Sequence, residues 1–100
     1  MQILFDAELW PWDARRTDSW TFVGLPASES EEIRDLVGGP RRGFGSLRVR
    51  ATIGSSTWTT SIFPSSAAGY VLPVKRSVRI AEALEVGGVA TVTVELIDFA

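Results

Sequence analysis

Neither cysteine nor histidine occurs among the 100 residues of the chain. Without cysteine there is no disulfide, no thiol nucleophile and no thiolate metal site. Without histidine the usual general base near neutral pH is missing, and so is the commonest transition-metal ligand. Ser-His and Cys-His catalysis are excluded outright. A dominant charge is lacking too: 10 basic residues face 12 acidic ones, for a net charge of −2. That balance argues against nucleic acid bound over the whole surface and leaves room only for a local basic patch. No apolar run approaches the ~20 residues that a membrane span needs. The opening stretch, MQILFDAELW, has no basic leader and carries acids early. It does not read as a signal peptide, and the expectation is a cytoplasmic protein.

What is present suffices for a core. Hydrophobic residues make up 45% of the chain, four of them tryptophan. A chain of this size makes one domain, over residues 1–100, and buries roughly 60–70% of its unfolded surface. The organising stretch is residues 69–96. Tyr70 to Leu72 read as a short strand that Pro73 stops, and Pro73 suits the first turn of a helix because it has no N–H to leave unpaired. Val74, Val78, Ala81 and Leu84 then recur at helical spacing, Gly87-Gly88 closes a turn, and Ala90, Val92, Val94 and Leu96 alternate as a half-buried strand.

The rest of the chain supplies strands for this unit. Residues 1–9 alternate, with Ile3, Phe5, Ala7 and Leu9 on one face; residues 11–18 read as a loop. Residues 19–25 form a second strand with Trp20 and Phe22 on one side, ended by Pro26. Ser28 and Glu31 make a capping box for a short helix with Ile33, Leu36 and Val37 on its apolar face, stopped by Gly38-Gly39 and Pro40. Residues 47–53 and 57–63 are two strands joined by a Gly54-Ser55-Ser56 turn, and residues 64–69 form a small-residue loop. The sum is about six strands and two short helices. So many alternating strands in so short a chain predict a mainly β fold, a closed six-stranded barrel with two short α-helices, which leaves few edges unpaired.

The pattern of Phe5 with Glu8 and Leu9, Trp20 with Val23 and Pro26, Val49 with Ile53 and Gly54, and Thr60-Ser61 with Pro64 carries a resemblance. Its most specific part is Gly69-Tyr70-Val71-Leu72-Pro73-Val74-Lys75 followed by Val78-Arg79. Over nearly the whole chain it resembles a small bacterial domain of unknown function, one often fused to a YdeI/OmpD-associated, bacteriocin-protection-like domain. The resemblance implies a closed six-stranded barrel. It implies no activity, since that family has no established one. Before the last strand, Gly88 stands where the family usually has the acid of a Gly-Asp turn. Residues 72–94 alone are also similar to the strand–helix–turn–strand unit of AbrB-like transcription factors, which are DNA-binding swapped dimers.

Three constellations are candidates for function. Lys75 and Arg79 are four apart on the second helix, with Arg76 alongside, and Ser61, Ser65 and Ser66 belong to the strand and loop that lead into it. Together they suit a phosphate or carboxylate, although a basic run on a short helix is also what a solvated face looks like. Arg41, Arg42, Phe44, Arg48 and Arg50 interleave cations with an aromatic as single-stranded nucleic acid contacts do, but in a chain acidic overall an exposed loop and the outer face of a strand are the favoured explanation. Trp20, Trp58 and Tyr70 read as core, while Trp10 and Trp12 flank Pro11 at a loop mouth. Catalysis has little to stand on: a Ser61–Lys75 pair is conceivable but lacks supporting spacing. No residue is assigned a catalytic or metal role, and no cofactor is expected. The sequence therefore predicts a small binding or interaction module, monomeric or weakly dimeric, whose partner is a small anion or a protein. An AbrB-like DNA-binding dimer is the alternative and a Ser/Lys hydrolase the third reading.

Overall fold

Period-two alternation becomes strand geometry wherever one face has a core to cover. The computed structural model describes residues 2–11, 20–36, 45–65 and 69–97. In it, β1 (Gln2–Glu8) buries Ile3 and Phe5 and turns Leu4 and Asp6 outward. After the two-residue β2 (Trp10–Pro11) comes β3 (Thr21–Gly24), with Thr21 and Val23 inward. β4 (Leu47–Ile53) buries Leu47, Val49, Ala51 and Ile53, as the alternation requires. A two-residue turn leads into β5 (Ser56–Ser65), which runs on through Pro64 and so shortens the loop expected there. β6 (Gly69–Pro73) and the long β7 (Val89–Leu96) complete the set, with Ala90, Val92, Val94 and Leu96 all inward.

All pairings are antiparallel, and the strands follow the order β1-β7-β4-β5-β6-β3-β2. The sheet is a seven-stranded open half-barrel and not the closed six-stranded barrel expected. The cause lies at Leu9. β1 ladders with β7 from Gln2 to Glu8, and then Leu9 leaves the ladder: its N–H donates to Gly88 O (2.9 Å) and its carbonyl accepts from Gly87 N (2.8 Å). β2 pairs onward with β3 alone. Among the described residues no ladder joins β1 to β3, so the two ends of the sheet adjoin through the chain and not through hydrogen bonds. Inside the curl lie Leu9, Leu47, Ile62, Leu72 and Leu96, all under 2% exposed; burying such a side chain contributes about 1.5–3 kcal/mol.

Two helices cover what the sheet leaves open. α1 (Ala27–Leu36) starts before Ser28, with Ser30 N–H on Pro26 O at 2.9 Å. The capping box is therefore not made: Ser28 Oγ donates to Glu29 Oε2 (2.6 Å) from inside the helix. Ser30 and Ile33 are the buried positions, while Leu36 is half exposed; Val37 and the glycine-proline stop lie outside the described residues. Pro73 ends β6 instead of opening the second helix, because Val74 N–H still bonds Thr21 O (2.8 Å) as a strand residue. α2 (Arg76–Ala81) follows and buries Val78. Trp20 is not core: it is 64% exposed, since inward Thr21 and Val23 put it on the outer face, tilted against Phe22 at 6.1 Å. No helix among the described residues is long and apolar enough to cross a membrane.

Candidate functional site: a cationic cleft at an interrupted strand edge

A proline creates the site. β5 pairs with β4 from Ser56 to Ile62 on one edge, but on the other edge it pairs with β6 only from Phe63 to Ser65. Continuing that register would set Pro73 opposite Ser61. Proline has no N–H to donate, so the ladder ends there. The chain then turns into α2, which runs back alongside the unpaired part of β5. Its far end is held by Glu82, whose carboxylate Oε2 accepts from Ser56 Oγ (2.6 Å) and Ser55 Oγ (3.2 Å) at the β4–β5 turn.

Between α2 and this edge lies a cleft of about 630 Å³. Trp58, Thr59 and Thr60 form one wall, Lys75, Arg76 and Arg79 the other, and Trp20, Thr21, Pro73 and Val74 close the remainder. Trp58 and Thr60 point to one face of the sheet and Thr59 to the other, yet all three border the cleft. Only a strand edge presents both faces at once. The Arg79 Nε donates to Val74 O (3.2 Å), which fixes the guanidinium over the cleft mouth. Lys75 and Arg76 are exposed and have no ion-pair partner among the described residues, whereas Arg50 on β4 meets Glu95 at 2.6 Å. Three cations on one wall repel each other, and an anion between them would relieve that repulsion.

The cations expected to act together are thus brought together. The serines are not: Ser61 lies on β5 opposite Arg48, outside the cleft wall, and Ser65 sits at the other end of the strand opposite Gly69. Ser66 lies outside the described residues, as do Arg41, Arg42, Phe44 and Trp12. The hydroxyls that border the cleft belong to Thr59, Thr60 and Thr21, which sequence reasoning passed over; Pro73 was the signal, since it marks where the β5 edge falls open. α2 has six residues, too few for its N-terminus to draw an anion by itself, so the side chains must do it. Among the described residues no group of three carboxylates gathers as metal ligands would.

The Glu82 clasp makes a pH-dependent hold on the far end of the cleft. The Ser56 hydroxyl first, and then Ser55, keep the Glu82 carboxyl below its ordinary value of 4.5. A carboxyl with a lowered folded value binds fewer protons than in the unfolded chain, so its stabilisation is present above about 4.5 and lost as pH falls through the folded value. Urea midpoints of the wild type and Glu82→Gln should differ at about pH 6 and converge towards about pH 3, on either side of that window. A gap of constant size over the range would show that the charge contributes nothing.

A search of curated proteins gives no match. A family model does: residues 5–94 fit the one described as a domain of unknown function, DUF1905, over a span that carries every strand of the sheet in whole or in part. By that match, which extends over most of its length, the chain belongs to the DUF1905 family.

Proposed function

We propose that the protein is a small cytoplasmic binding module that holds an anionic group, phosphate or carboxylate, in the cleft between β5 and α2. Lys75, Arg76 and Arg79 supply the charge, Thr59 and Thr60 the hydroxyls, and Trp58 and Trp20 the apolar surface. The observation that carries this reading is three cations on one wall of a single cleft, with no carboxylate on that wall. The volume suits a compact organic ligand, and a few polar groups on an apolar wall are what such sites use for orientation.

A thermal-shift screen at low salt, with inorganic phosphate, nucleotides and small carboxylates, tests it. A ligand at roughly 100 times its Kd adds about 2.7 kcal/mol to the folded state, an upward shift that is easily read. The shift should shrink in Arg76→Ala, an exposed position with no ion-pair partner among the described residues. If no anion raises the melting temperature, or if Arg76→Ala responds as the wild type does, the cations are solvated scaffold.

A further inference from the structure

Hydrogen-bond parity along β5 says more about the ligand. The β4–β5 connection is a two-residue turn, Gly54 (φ 59) and Ser55, so Ile53 and Ser56 form a hydrogen-bonded pair. Alternation then directs the main-chain groups of Trp58, Thr60 and Ile62 at β4 and those of Thr57, Thr59 and Ser61 at the other edge. The Ile97 N–H on Arg48 O (3.0 Å) fixes the same phase from the far side of β4. On that other edge the N–H and C=O groups of Thr57 and Thr59 have no main-chain partner among the described residues, and both residues are exposed. An open strand edge is a template for another strand. Here it lies within a sheet, facing three cations across the cleft.

We propose that the cleft takes an extended acidic peptide, which adds as a short strand to the Thr57–Thr59 edge and sets its carboxylates against Lys75, Arg76 and Arg79. This rests on the anion reading above and specifies its ligand. Main-chain hydrogen bonds give such a complex its affinity, and the charge and alternate side chains give it selectivity. A peptide strand seated there would replace the pairing that Pro73 forfeits. Its carboxylates complement the cationic wall that Thr59 faces across the cleft, away from the end that Glu82 closes.

The test uses the intact chain and blocked peptides that alternate glutamate and valine, followed by amide proton–nitrogen correlation spectra. Two further peptides carry N-methyl groups on alternate backbone nitrogens, in opposite phases, and a last one has glutamine for glutamate. Expected are shifts at the Thr57 and Thr59 amides. One N-methyl phase should bind about tenfold more weakly than the other, because it removes the two donors that face β5. The glutamine peptide, and Arg76→Ala against the parent peptide, should each lose about tenfold as well. Equal affinity for both N-methyl phases overturns strand addition. Binding of phosphate or citrate with no gain from the peptide overturns it too, and leaves the anion site standing. A single-stranded oligonucleotide that binds more tightly than the peptide would make the partner nucleic acid. No binding by any probe removes both readings together.

Discussion

Gly69→Ala should cost about 3 kcal/mol and lower the melting temperature by roughly 12–20 °C, as heat or urea unfolding will record. Two independent effects combine. Gly69 has φ +72, where an alanine costs roughly 1–2 kcal/mol because its Cβ crowds the following carbonyl. That Cβ would also lie 2.7 Å from Ser30 Oγ and 2.8 Å from Ser30 Cβ. Ser30 is 2% exposed and cannot swing aside into solvent. Its Oγ accepts the Tyr70 N–H at 3.2 Å, so pushing α1 away also strips a buried donor of its partner, worth about 1–3 kcal/mol. Adding Ser30→Gly to Gly69→Ala separates the terms. It removes the collision, leaves the backbone strain and leaves Tyr70 unpaired, so the double variant should recover only part of the loss. A Gly69→Ala protein that melts with the wild type would show that α1 is not packed on β6 as described.

Trp58→Ala should be as damaging, at about 3–5 kcal/mol in equilibrium unfolding. The ring is 7% exposed and lies in register with Ala51 on β4, which is fully buried. A large side chain next to a small one fills the interior only as a pair, so removing the large member leaves a cavity that its neighbours on rigid strands cannot close. Trp58→Phe keeps most of the fill and should cost about half as much or less. The same substitution also takes a wall from the cleft. Ligand affinity should therefore fall in Trp58→Phe by more than its change in stability can account for, while Leu4→Ala on the outer face of β1, away from the cleft, should leave affinity alone. Equal stability of wild type and Trp58→Ala would mean that Trp58 is not a core residue.

These two positions also mark how far the sequence could be read. Faces with a strict alternation were legible: β4 and β7 bury the residues that period two assigns to them, and β1 buries Ile3 and Phe5 with Ala7 partly covered, because a one-residue slip would expose the whole hydrophobic set. Trp20 failed because its own strand carries apolar residues on both faces; Thr21 and Val23 took the inside, and hydrophobicity alone does not rank threonine above tryptophan. The capping box failed because Pro26 already starts the helix, which leaves Ser28 within its first turn. β2 is two residues long, below the length at which any periodicity exists, and with it went the means of telling an open sheet from a closed one. At the site, the charges were legible as a cluster on a short helix. The other wall was not, since it consists of a core tryptophan, two ordinary threonines and a stretch of backbone, none of which announces itself by type.

The pairing of β1 with β7 has a consequence in time. Gln2 lies opposite Glu95, so β1 must wait for β7 to be synthesised before its ladder can form. At the usual pace of synthesis that wait is roughly 5–20 seconds, during which Ile3 and Phe5 have no sheet to cover them. β4, β5 and β6 are neighbours in sequence and pair by short connections, so they can assemble while the ribosome is still at work. The cleft, bounded by β5 and α2, belongs to that early part. The walls of the cleft are therefore in place before β1 is secured on β7.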